Sequence, residues 1–212
     1  MTLYDYFRSS AAYRVRIALN LKGLSYTRHP VSLVDKAQQS PAYQAINPSQ
    51  LVPTLDTELG QLSQSLAIIE WLEDTHPEPA LLPRDPWQKA QCRELALSIA
   101  CDIHPVNNLR ILNYLTQDLG VSQEDKLTWY HHWLHQGLSA LEARVAARQA
   151  NQPNTFCCGD TPSLADICLV PQLYNARRFE LDLSPYPTLV RIDAACQKLA
   201  SFEQAHPDNT PQ

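Results

Sequence analysis

The sequence contains no long apolar run, no block of basic residues, no Cys-x-x-Cys pair and no glycine pattern of the nucleotide-binding kind. Each absence narrows the possible functions. No stretch is apolar enough to span a bilayer, and the opening Met-Thr-Leu-Tyr-Asp-Tyr-Phe-Arg lacks the basic start and continuous apolar core of a secretory leader. The chain is therefore expected in the cytoplasm, away from membranes. A formal net charge of −5 without any Lys/Arg cluster argues against nucleic acid or an anionic lipid surface as partner. A small anionic ligand would have to be held by local cations. Six cysteines occur as Cys92, Cys101, the adjacent Cys157 and Cys158, Cys168 and Cys196, in a spacing that suggests neither zinc nor a dithiol redox centre. Most read as small buried apolar residues in a reducing compartment. His131 and His135 have i, i+4 spacing, but no HExxH accompanies them, and with His132 they read as solvated or interface residues rather than metal ligands. No repeat or low-complexity segment is present.

What is present suffices for a packed core: 212 residues, 44% of them hydrophobic, fit one large domain or two compact ones. In the first third the hydrophobic period changes repeatedly. Thr2 to Tyr6 predicts a strand, and Ser9 and Ser10 cap a helix whose face Ala11, Val15, Ala18, Leu19 and Lys22 runs to a stop at Gly23. Tyr26 to Val31 predicts a second strand, Asp35 to Tyr43 a short helix, Asn47-Pro48 a turn and Val52 to Leu55 a third strand; Gly60 then turns a hairpin. Ser65 opens a helix carrying Ile68, Ile69 and Leu72, which ends before a proline-rich stretch from Pro77 to Pro86. That stretch marks a domain boundary, with domains at 1–82 and 87–212. Beyond it the strand signals vanish, and helices are expected over Trp87–Leu119, Ser122–Ala150 and from Ser163 on. Ser163 and Asp166 have capping-box spacing, and the apolar helix they start belongs at a domain centre. A β-α-β-α-β-β-α order followed by helices points to a small mixed-sheet domain joined to an all-α domain.

Three segments, Arg8-Ser-Ser-Ala-Ala-Tyr-Arg-Val-Arg-Ile-Ala-Leu19, Asn47-Pro-Ser-Gln-Leu-Val-Pro53 and Gln64-Ser-Leu-Ala-Ile-Ile-Glu-Trp-Leu72, together resemble a zeta-class glutathione transferase. The resemblance continues through Leu81-Leu-Pro83, Gly159 to Asp166, Leu169-Val-Pro-Gln172 and Asp182 to Pro187, so it covers nearly the whole chain in order. It implies a thioredoxin-like N-terminal domain, an all-helical C-terminal domain, a homodimer, and glutathione as the thiol partner of a small dicarboxylic keto acid. The reaction it implies is cis–trans isomerisation of maleylacetoacetate. There are two departures. Ala11 stands where the family usually has a cysteine, and Asp102 to Leu112 resembles the bacterial branch, which includes maleylpyruvate isomerases with an arginine at the place of Arg110. Maleylpyruvate is therefore an alternative substrate, and conjugation or dehalogenation of small α-halo acids an alternative reaction.

A glutathione thiol with the ordinary cysteine pKa near ~8.5 is mostly protonated at neutral pH, so a site that uses it must favour the anion. A helix start offers unpaired N–H groups and partial positive charge, and a serine hydroxyl can donate a further bond. Ser9, with Ser10 second, is the candidate thiolate stabiliser, beside Ala11. Either serine would also serve as a plain cap. Val52 and Pro53 would set backbone groups beside an extended tripeptide, and the resemblance implies a cis bond between them. Gln64 and Ser65 start a helix able to take the γ-glutamyl carboxylate, and Gln38 is assigned to the glycyl end. The resemblance also makes Asp102, His104 and Asn108 candidate glutathione contacts. It gives Arg8, Arg110 and Arg178 to the acceptor, whose carboxylates suit a planar guanidinium. Arg177 is expected at the surface.

Overall fold

A computed structural model describes residues 1–211. The chain forms two compact units, one of residues 1–81 with the segment from Gln197 on, the other Leu82–Cys196.

The first unit is thioredoxin-like. Strands β1 (Thr2–Asp5), β2 (Thr27–Pro30), β3 (Thr54–Thr57) and β4 (Gly60–Ser63) form one sheet in the order β2-β1-β3-β4, with β1 parallel to β2 and antiparallel to β3. Helices α1 (Ser10–Leu21), α2 (Pro41–Ile46) and α3 (Ser65–Thr75) connect or follow them. Ser9 is the N-cap of α1, its Oγ accepting from Ala12 N at 3.2 Å, and Gly23 ends the helix at φ +65°. The expected one-sided apolar face of α1 is corrected here: the helix is buried on all sides from Ala12 to Leu19. Lys22, assigned to that face, is buried because its Nζ bonds Glu73 Oε2 (2.5 Å) and the carbonyls of His76 and Pro79, tying α1 to the end of α3.

The second correction explains the first. The last helix, Ala200–Ala205, does not belong to the helical unit, as the expected domain limits have it, but packs on α1. Phe202 and Ala205 are buried there, and Arg16 Nε and Asn20 Nδ2 donate to the carbonyls of Ala205 (3.0 Å) and Ser201 (3.1 Å). Periodicity shows that a short helix has an apolar face; it does not show which core that face joins.

In the second unit α4 (Pro86–Leu97) starts on an Asp85 cap with proline at its first turn. The single helix expected over Trp87–Leu119 is broken. After α4 come a π segment (Ser98–Ile103), a 3₁₀ turn (Pro105–Asn107), α5 (Leu109–Asn113) and a second π segment (Tyr114–Asp118). Pro105 lacks the N–H that would continue the ladder, and Asn108 restarts the helix by accepting from Ile111 N at 3.1 Å. Next are α6 (Gln123–Asn151), capped by Ser122, then α7 (Leu164–Arg178) and α8 (Pro187–Cys196); Ala200–Ala205 is thus α9. All of Leu164 to Leu173 is buried, which places α7 at the centre of the unit.

Of the histidines of α6, His132 and His135 are exposed, as expected of solvated residues, and His131 is half-buried. His131 Nε2 lies 2.6 Å from Phe179 O and His135 Nδ1 2.6 Å from Tyr186 OH, so both also tie α6 to the segment between α7 and α8. Arg177 pairs with Asp193 at 2.7 Å. Among the described residues no group of three or more His, Cys, Asp or Glu is placed to hold a metal ion, and no helix is long and apolar enough to cross a membrane.

Gly137 lets α6 approach the first π segment, since a Cβ there would overlap Ile103 Cγ1 and Cδ1, and Ile103 is 3% exposed. Gly137→Ala is expected to cost about 1–3 kcal/mol, the usual range for overpacking. Thermal unfolding would show this as a fall of about 2–4 °C per kcal/mol for a chain of this size.

Candidate functional site

The register of the sheet brings four chain segments to one end. Asp5 pairs with Pro30, Tyr4 with Thr54, and Thr54 with Ser63. Consequently the exit from β1 (Tyr6 to Ser9), the exit from β2 (Val31 onward), the entry to β3 (Val52-Pro53) and the exit from β4 (Gln64-Ser65) share an edge. Eight sequence-predicted residues come together there: Arg8, Ser9, Ser10, Ala11, Val52, Pro53, Gln64 and Ser65.

Both helices that start at this edge present their N-termini. In α1 the first backbone bond is Tyr13 N to Ser9 O (2.8 Å), and Ser9 Oγ takes Ala12 N, leaving the N–H groups of Ser10 and Ala11 outside the helix's own ladder. In α3 the first is Ile68 N to Gln64 O (3.0 Å), and no side chain caps the end. Gln64 itself stands at φ +73°, ψ +114°, a region that costs a residue with a Cβ about 1–3 kcal/mol and is typical of ligand clamps. Ser65 is buried, its Oγ accepting from Arg14 Nη1 at 3.3 Å.

Arg14 is absent from the residues that sequence reasoning singles out. It lies 2% exposed inside α1 and links that helix to the start of α3. The signal for it, shared with Arg16, is a cation among the apolar residues in the middle of the helix. Burial of a charge is costly unless it is bonded, so such a residue has a fixed partner.

The Val52–Pro53 bond is cis. The loop before it is shaped by Asn47, 4% exposed, whose Nδ2 donates to Leu51 O (2.8 Å) and Thr54 Oγ1 (3.1 Å) while its Oδ1 accepts from Ser49 N (3.0 Å). Tyr43 OH also donates to Leu51 O at 2.7 Å. A loop tied by side chains at both ends holds its backbone amide and carbonyl in fixed directions.

Gln38 is in the 3₁₀ turn Ala37–Gln39 beyond β2, and its Oε1 is enclosed without a hydrogen-bond partner. Next to the shared edge a cleft of about 300 Å³ opens between the β1–α1 loop and the segment after β2. Phe7, Arg8, Arg28, Ser32 and Asp35 are among its walls, and the exposed Arg8 guanidinium lies 4.8 Å from the Phe7 ring centre.

The remaining expected site residues lie in the second unit. Asp102 is exposed in the first π segment, half-buried His104 follows it, and Asn108 is the cap of α5, a structural duty that its sequence context does not reveal. Arg110 is exposed in α5. Arg178 is exposed at the end of α7, with Nη1 3.3 Å from Asn175 Oδ1 and its guanidinium 5.7 Å from the Phe179 ring centre.

Comparison with known proteins gives one family for both units. Residues 3–80 match the model of the glutathione S-transferase N-terminal domain, and residues 134–207 that of the C-terminal domain. The chain is 50% identical to a probable maleylacetoacetate isomerase of Vibrio cholerae, covering 100% of this chain and 97% of that one. Among solved structures, the holo form of a maleylpyruvate isomerase, described as a bacterial zeta-class glutathione S-transferase, superposes with a TM-score of 0.97 at 46% identity over 100% and 99% of the two chains. A maleylacetoacetate isomerase from Methylobacterium extorquens AM1 with bound malonate and glutathione gives 0.95 at 38% identity over 100% and 98%.

Proposed function

This chain belongs to the glutathione S-transferase family, and from that premise we propose that it is a zeta-class, glutathione-dependent cis–trans isomerase of maleylacetoacetate, serving aromatic amino-acid breakdown in the cytoplasm as a homodimer. The observation that carries the reading is the shared sheet edge, where a serine-capped helix start, the cis Val52–Pro53 loop and a strained Gln64 at an uncapped helix start meet. These are the donors an extended, thiol-bearing tripeptide with carboxylates at both ends requires.

Bound glutathione supplies a thiolate that adds to the maleyl double bond at the carbon β to the ketone, turns it into a single bond free to rotate, and is then expelled. The chain's residues hold and orient. Ser9 is proposed to donate its hydroxyl proton to the sulfur, with the α1 N-terminus adding positive potential and Ser10 and Ala11 beside it. Val52 supports the tripeptide backbone, the Gln64–Ser65 start of α3 takes the γ-glutamyl carboxylate, and Gln38 takes the glycyl end. Asp102, His104 and Asn108 are further proposed contacts to glutathione. Arg8, Arg110 and Arg178 are assigned to the acceptor, balancing its carboxylates and the charge that develops on the ketone oxygen. No residue is assigned as a general base.

Maleylpyruvate is the second candidate substrate, supported by the full-length similarity to an isomerase of that name and by Arg110. The decisive experiment tracks each maleyl acid by chromatography with glutathione well below the substrate concentration. Many turnovers to the fumaryl product per glutathione, with free thiol constant, are expected. A halt after one equivalent, or a stable thioether, would replace isomerisation by conjugation, and the better of the two kcat/KM values identifies the substrate.

A further inference from the structure

Arg16 is 1% exposed in the middle of α1, yet its guanidinium reaches three places. Nη1 donates to both oxygens of Asp5 (2.8 and 2.9 Å), Nη2 to Phe7 O (2.9 Å) and Nε to Ala205 O (3.0 Å). Asp5, fully buried at the end of β1, also accepts Arg28 Nε at 2.8 Å, and Arg28 Nη1 donates to Pro211 O at 2.7 Å. Two arginines therefore share one carboxylate, and each also holds a carbonyl of the C-terminal segment.

Burying such charges gains little stability over a well-packed apolar core. What a planar guanidinium adds is direction, because its donors are fixed relative to one another. One of the fixed carbonyls belongs to Phe7, immediately before Arg8 and two residues before Ser9. The loop from Tyr6 to Ser9 has no regular structure, although Ser9 N bonds Tyr6 O within it (2.8 Å), and Phe7, Arg8 and Arg28 all line the cleft beside it.

We propose that Arg16 is a positioning residue for the Phe7–Ser9 loop, and that the C-terminal segment from Ala200 to Pro211, clamped through Asp5, Arg16 and Arg28, is a working part of the thiol and acceptor site. The roles of Ser9 and Arg8 rest on the function proposed above; the clamp can be read with glutathione alone.

The test compares full-length variants. Arg16→Lys keeps a charge opposite Asp5 but has one nitrogen, which cannot serve Asp5, Phe7 O and Ala205 O together. With a far-UV spectrum like wild type, it is expected to raise the pKa of bound glutathione, read from thiolate absorbance against pH. It should also lower acceptor kcat/KM about tenfold, mostly through KM, as expected for a misplaced binding group. Arg28→Met, at a partly exposed position, releases Pro211 and should move both readouts the same way by less, with Arg28→Lys restoring part of the change. It also decides the matter should Arg16→Lys not fold. Asp166→Asn, which lowers stability at the start of α7 and removes no proposed contact, should move neither readout. Wild-type thiol pKa and acceptor KM in the folded Arg variants, or the same shifts in Asp166→Asn, would overturn the proposal. A wild type that binds glutathione but isomerises nothing would instead end the proposed function, while the thiol pKa still decides the clamp.

Discussion

Ser9→Ala is expected to lower turnover about a hundredfold while changing glutathione affinity by no more than about threefold, since one donor to a developing or resident anion is worth about 10²–10³ in rate. The hydroxyl has two duties. Its oxygen accepts Ala12 N as the cap of α1, and its proton remains available to the glutathione sulfur. Alanine removes both. Loss of the proton lets the bound thiol pKa return toward the ordinary ~8.5, so less thiolate exists at neutral pH and the rate profile moves to higher pH. Loss of the cap costs about 1 kcal/mol of stability, a few degrees in melting temperature. The pKa of bound thiol, followed by ultraviolet absorbance, separates the two duties. If that pKa does not move in Ser9→Ala, the thiolate is stabilised by Ser10 or by backbone amides, and the hydroxyl of Ser9 is a cap only.

Asp166→Ala is expected to destabilise the protein by about 3–5 kcal/mol, the cost of stranding three buried donors, with no direct effect on glutathione binding. Asp166 is 0% exposed and accepts from Ser163 Oγ (2.7 Å), Ser163 N (2.8 Å) and Cys157 N (2.9 Å), closing the loop before α7 onto the helix start. Burial raises the carboxyl pKa, and these hydrogen bonds act against that rise. Removing the carboxyl strands the donors, and each buried unsatisfied group costs about 1–3 kcal/mol. Asp166→Asn should lie between, because the amide keeps one acceptor oxygen but turns an N–H₂ group toward donors. Denaturant unfolding of the three proteins measures the order. Should alanine cost less than asparagine, the donors must have found other partners and the cap is not what fixes α7.

Much of the fold is legible in the chain. The order β-α-β-α-β-β-α comes from changes in hydrophobic period and from local stops such as Gly23 and Gly60, whose positive φ values need no tertiary context. Ser9, Ser122 and Asn108 all cap helices, but only the first two stand out in the sequence as caps or helix starts. Asn108 is hidden by the break before it, since one apolar pattern runs unbroken from Trp87 to Leu119 while the backbone passes through two π segments and a 3₁₀ turn. Apolar residues are dense along the whole stretch, so the shift in phase that a π segment brings leaves little trace in it.

By itself the sequence determined the local elements, their caps and the polar groups available to a thiol ligand, because those depend on neighbours within a few positions. The tertiary structure decided which of those groups meet. Strand register, not proximity in sequence, set Val52-Pro53 and Gln64-Ser65 at the edge where Ser9 leaves β1, and long-range packing moved α9 from the helical unit onto α1. It also gave the buried cations their partners: Arg14 with Ser65, 51 positions on, and Arg16 with Ala205, 189 positions on. A charge in an apolar helix announces that a partner exists, and only the folded chain, where burial makes every unpaired donor costly, says which one it is.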